Sequence, residues 1–218
     1  MARAATPKDP EKVTRIMTAA THEFAIHGYA AAKTEQIALA AEVSKGLVFH
    51  YYGSKQQLYF QTVVVATDRI KAEVTPQAFK TPVDLVALVV RSTKYKAEFG
   101  RKHPDEMRLM INAYGNADKL PVAIQGKLQG LYTQSLQLSQ LMIGQIIDRL
   151  PLRPEVDRET VIELIMGIYN QIFVEFQARA KVSPEMKTMA DAQWIAERAK
   201  KYMAILENGF LSLIHISE

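Results

Sequence analysis

Between Thr34 and Tyr51 the chain reads T-E-Q-I-A-L-A-A-E-V-S-K-G-L-V-F-H-Y, with no proline and a single glycine. Thr34 and Ser44 are residue types that cap helices. They predict one short helix over Glu35–Ala41 and another over Lys45–Tyr51. Only Glu42 and Val43 lie between the first of these and the Ser44 cap. Two short helices joined by so tight a turn make a helix-turn-helix, and this spacing constrains the fold more than any other feature.

The surrounding sequence reads as helix too. Asp9 followed by Pro10 is a good start signal, and Val13, Ile16, Met17, Ala20 and Phe24 recur at helical spacing until Gly28. Gly53-Ser54-Lys55 begins a fourth helix running to about Glu73. Prolines and glycines are scarce beyond it. They divide the rest into helical stretches over 83–102, 104–114, 121–150, 154–181 and 184–213. The expected fold is all-α: an N-terminal three-helix module over residues 1–55 and a larger helical domain over 56–218. The helix over 54–73 joins them, and the break at Val74–Pro82 is the expected boundary.

Composition narrows the function classes. Of 218 residues 48% are hydrophobic and 23% charged, an ordinary globular balance, and there is no cysteine. Disulfides and thiolate metal sites are excluded, which suits a reducing cytoplasm. The N-terminus lacks the apolar core of a secretion signal. Leu128–Ile147 carries no charge, but eight of its twenty residues are Gln, Ser or Thr, which predicts a helix in water rather than in lipid. No catalytic or phosphate-loop motif is present, and His22 and His27 stand on different faces of their helix, a poor metal pair. No cofactor or metal is expected. The net charge of +4 is compatible with an anionic partner without demanding one.

The segment I37-A-L-A-A-E-V-S-K-G-L-V-F-H-Y-Y-G-S-K-Q-Q-L58 resembles the DNA-binding signature of the TetR family of transcriptional regulators, and F24-A-I-H-G-Y29 is similar to that family's first-helix ending. The resemblance covers about the first 60 residues. Three positions depart from it: Glu42 stands where the turn glycine is usual, Phe49 where tyrosine is, and Tyr52 where phenylalanine is. The resemblance implies that the Lys45 helix enters a major groove of double-stranded DNA, where so short a helix offers two or three side chains to base edges. Lys45 then suits guanine, Gly46 a close backbone approach, Leu47 a thymine methyl, His50 a base or phosphate, and Tyr51 a phosphate. Phe49 stands between core and backbone contact. Thr34, Ser44 and Lys55, at helix N-termini, suit phosphates. Val48 and Tyr52, four residues apart, are expected inward beside Phe24 and Ile37.

For the second domain the resemblance implies a small-molecule effector and a homodimer formed through the last two helices, about 154–181 and 184–213. The residues agree, because Val161–Phe176 is apolar around most of its circumference and the last helix carries a wide stripe through Ile195, Met203, Leu206 and Leu213. A thick internal core would use the same pattern. The candidate pocket lining is Tyr95, Phe99, Met107, Met110, Tyr114, Tyr132, Tyr169 and Asn170, since methionine adapts to irregular ligands and tyrosine adds a polar tip. The expected function is a cytoplasmic, homodimeric repressor, released from a palindromic operator by a small, largely apolar effector. An all-helical enzyme and a helical interaction protein without specific DNA binding are the alternatives.

Overall fold

The computed structural model describes residues 8–78, 85–182 and 193–210. Among these the chain is all-α, as expected. Its helices are α1 (Pro10–Ala31), α2 (Thr34–Ala40), α3 (Lys45–Tyr52), α4 (Lys55–Ala78), α5 (Leu85–Lys102), α6 (Pro104–Gly115), α7 (Val122–Ile147), α8 (Arg158–Val182) and α9 (Gln193–Phe210), with a 3₁₀ turn at Ala117–Lys119. Part of the expected Val74–Pro82 break, the stretches 183–192 and 211–218, and Leu213 of the apolar stripe lie outside the described residues. No described helix is long and apolar enough to cross a membrane.

The residues form two compact units. The first joins the chain up to Arg69 with His103–Gln129, and the second joins Ile70–Lys102 with the chain from Gly130 onward.

In the first unit, Asp9 caps α1 by accepting from the amides of Glu11 and Lys12 at 3.0 and 3.4 Å, with Pro10 at the first helical position. Gly28 turns out of the helix with φ 66°, and Tyr29–Ala31 add one further turn after it. Ile16, Phe24, Ile37, Val48, Leu58 and Tyr59 form the core. Phe24 and Tyr29 each meet the Tyr59 ring edge-on, at 4.9 and 5.2 Å between centroids, which fixes α1 against α4. Helix α6 packs on α1. Asn112 donates to the Ala25 carbonyl at 3.2 Å, His22 Nδ1 stands 2.8 Å from Asp105, and Arg69 holds Glu106 at 2.7 Å.

In the second unit, α9 packs against both α5 and α8. Leu88, Phe99, Ile143, Ile147, Ile165 and Met203 are buried there. Helix α8 starts four residues later than Pro154, because Asp157 accepts from both the amide and the hydroxyl of Thr160 at 2.8 Å and so sets the cap. Helix α4 continues past the expected stop at Glu73 to Ala78.

Candidate nucleic-acid interface

The turn before α3 is built from two local devices. Ser44 Oγ accepts from the Leu47 amide at 3.1 Å, the expected cap. Glu42 takes φ 54°, the left-handed conformation that a turn glycine would adopt without strain. Its carboxylate accepts from Arg15 of α1 at 3.0 Å, so the residue that departs from the glycine pattern acquires a tether that glycine lacks. At the other end Gly53, φ 74°, closes α3, and Ser54 Oγ caps α4 by accepting from the Gln57 amide at 3.1 Å.

Helical spacing sorts the side chains of α3 into stripes. Val48 and Tyr52 are buried, as expected, and Phe24 and Ile37 are buried with them. Gly46 and His50 lie opposite and are exposed. Lys45 and Phe49 form one flank, with the ammonium 5.7 Å from the ring centroid, and Leu47 and Tyr51 form the other. Phe49 is half-buried, which agrees with a position between core and surface.

Several candidates are already engaged. Lys45 is paired with Glu35 of α2, and that contact, more than any other, holds the Glu35 carboxyl below its usual range. Lys55 donates to the Ala30 carbonyl at 3.1 Å and lies 5.1 Å over the Tyr29 ring. Burial lowers its pKa, and two of its N–H groups stay available. Thr34 does not cap α2. It is the first helical residue, nearly buried, with its hydroxyl 3.3 Å from Glu35. The cap position falls to Lys33, whose amide donates to Glu23 of α1 at 2.8 Å. A carboxylate ten residues away replaces the expected local cap.

Tyr51 Oη accepts from the Asp9 amide at 3.1 Å, so a ring expected to face outward also ties the start of α1 to the end of α3. Lys8, which sequence reading passed over, places its ammonium 4.7 Å from the Tyr52 centroid and 5.8 Å from that of Tyr51. Its position just before the Asp9–Pro10 helix start is the only sequence signal for it.

The candidate effector residues are divided. Met107, Met110 and Tyr114 belong to α6 in the first unit, with Met107 buried. Tyr95, Phe99, Tyr132, Tyr169 and Asn170 belong to the second, where Phe99 is core and Asn170 is exposed. Burial raises the pKa of the Tyr132 and Tyr169 hydroxyls. The second unit also carries an open groove of about 590 Å³ between α7 and α8, lined by Gln137, Gln140, Leu141, Gly144, Arg158 and Ile162 among others. None of the candidate effector residues lines it. Gly144 matters here, because a Cβ at that position would come within 2.8 Å of the Arg158 guanidinium, which crosses α7 to reach Asp148.

Among the described residues, a capped, eight-residue third helix following a short turn over residues 41–44 has the build of a helix-turn-helix. Residues 16–62 match the family model for bacterial regulatory proteins of the tetR family. The repressor SCO4008 of Streptomyces coelicolor is 32% identical over 118 residues, which are 51% of this chain and 56% of that protein. This chain thus spans about half the length of that curated relative. A transcriptional regulator from Rhodococcus sp. RHA1 shares the fold with a TM-score of 0.67 at 16% identity, over 92% of this chain and 98% of its own. A regulator from Saccharomonospora viridis, solved in complex with choline, does so with a TM-score of 0.62 at 15% identity, over 94% of this chain and 100% of its own. Over residues 16–62 the chain is thus similar to tetR-family regulatory proteins, within a fold that solved transcriptional regulators share. That likeness points to a transcriptional regulator rather than an enzyme.

Proposed function

We propose that this protein is a cytoplasmic, homodimeric repressor that binds a palindromic operator through α3 and leaves it when a small effector occupies the second unit. The observation that carries this reading is the outward face of α3. Gly46 and His50 are exposed, flanked by Lys45 and Leu47, on a helix pinned from behind by Val48 and Tyr52. A rigid inner face and an accessible outer one are what major-groove reading needs.

Dimerisation is supported by Leu164 and Val174 on α8 and Ile205 on α9, which are 51%, 48% and 68% exposed on adjacent helices. A second copy would bury them, and a two-half-site operator calls for two copies of α3 about 34–36 Å apart, one turn of DNA. For the effector, Tyr132 and Tyr169 of the second unit offer hydroxyls whose pKa burial raises. Release is a population shift, in which a coupling of ~1–3 kcal/mol changes operator affinity ~5–150-fold.

The test is selection of genomic fragments by the purified protein, followed by a screen of compounds that release the selected site. Quaternary ammonium compounds belong in that screen, given the choline complex of the S. viridis relative and the affinity of aromatic rings for such cations. Recovery of a palindromic site and its release by one compound class is the expected result. Retention of random and genomic fragments alike would favour the interaction-protein reading.

A further inference from the structure

Lys8 stands one residue before the cap of α1 and is exposed. It is nonetheless placed: its ammonium rests on the Tyr52 and Tyr51 rings, and the next amide along the chain, that of Asp9, donates to Tyr51 Oη. The Tyr51 ring in turn lies 5.9 Å from the ring of His50, on the outward stripe of α3. The ammonium therefore stands one ring away from the face that the proposed function assigns to DNA.

Its charge is also available. Lys12 faces Asp9 at 3.5 Å, Arg15 faces Glu42 at 3.0 Å and Lys45 is paired with Glu35. Each of these must loosen a carboxylate before it can neutralise a phosphate. Lys8 makes no ion pair among the described residues. The nearest carboxylate in the chain, Asp9, is turned onto the amides of Glu11 and Lys12. A lysine held on two aromatic faces also has less freedom to lose on binding than a solvated one.

We infer that Lys8 is a backbone-phosphate contact at the C-terminal end of α3, with Tyr51 and Tyr52 as the shelf that positions it. The inference rests on the DNA-binding reading above. A contact of this kind carries no sequence information, and it strengthens binding to every duplex. It also gives Tyr51 a task different from the one its sequence suggests: its hydroxyl anchors the entry to α1 and so holds the lysine beside the recognition helix.

The experiment measures binding of the full chain to its selected duplex and to a random duplex of equal length, across salt concentrations. Lys8→Ala is expected to weaken binding to both, and to reduce the slope of log affinity against log salt by about 0.9 per contact, hence by about 1.8 for a dimer. Lys8→Arg is expected to keep the wild-type slope, which a loss of folding would not. Tyr51→Leu is expected to lower the slope as Lys8→Ala does, with no additional fall in the double variant. Wild-type slopes for Lys8→Ala would overturn the inference while leaving the DNA-binding reading intact. A wild type that binds neither duplex would overturn that reading and the inference with it.

Discussion

Glu42 holds φ 54° in the turn between α2 and α3, where an L-residue costs about 1–2 kcal/mol relative to a right-handed conformation. The Arg15 contact that accompanies it is exposed, and such pairs return about 0.2–1 kcal/mol. Strain outweighs the tether, so Glu42→Gly should raise the unfolding free energy by about 0.5 kcal/mol, read from the urea midpoint at unchanged m-value. A lower midpoint would mean that the Arg15 contact is the stronger of the two. Lys45 presents the opposite case, a proposed recognition side chain held by an internal partner. Lys45→Ala should weaken specific binding by ~1–3 kcal/mol and relax one base position. Glu35→Gln should strengthen binding to all duplexes, because the lysine no longer has to leave a carboxylate. Equal losses on specific and random DNA for Lys45→Ala would remove it from base reading.

Among the helices, α1 shows how a local signal acquires a second use. Asp9 caps it as its sequence indicates, and the Lys12 amide, the largest influence, lowers the Asp9 pKa. A carboxyl whose folded value lies below its unfolded one stabilises fully above the unfolded value, about 3.9. That contribution is lost as pH falls through the folded value. Asp9→Asn, which still caps but does not titrate, should therefore lose less stability than wild type on acidification below about pH 4. Parallel acid-denaturation curves for the two proteins would refute the assignment. The caps at Asp9 and Ser44 were legible because each needs only its own first turn. The start of α2 was not, because Glu23 of α1 meets the Lys33 amide and no short sequence window contains both. Tyr51 was half legible. Its half-exposed position on α3 follows from helical spacing, but its bond to the Asp9 amide, 42 residues away, does not.

For the whole molecule, the proposed assembly places the heaviest demand on the apolar residues that the fold leaves uncovered. Ile205 on α9 is more than two-thirds exposed, and Leu164 and Val174 on the adjacent α8 are about half exposed. If a second copy covers them, Ile205→Glu and Leu164→Arg should each yield monomers by sedimentation while leaving the helical circular dichroism unchanged. Operator affinity should fall more than tenfold, since one α3 reads only half a site. A variant that stays dimeric would move the interface elsewhere.

The sequence by itself determined that these segments are helices, the short turn before the Ser44 cap and the division of α3 into an inner and an outer face, though not every helix end. These depend on residues one to four positions apart, whose geometry the helix supplies. The tertiary structure decided which partner each charge and ring would meet. It brought Glu35 to Lys45, Ala30 to Lys55, Arg15 to Glu42 and Tyr51 to Asp9, and it returned α6 onto α1 across some eighty residues of chain. Such pairings follow from which buried faces come together, and burial fixes them only once the whole unit has folded. For the segment after Ser44, local periodicity therefore defined the outward face of α3, while long-range packing set which of the nearby cations are paired with carboxylates.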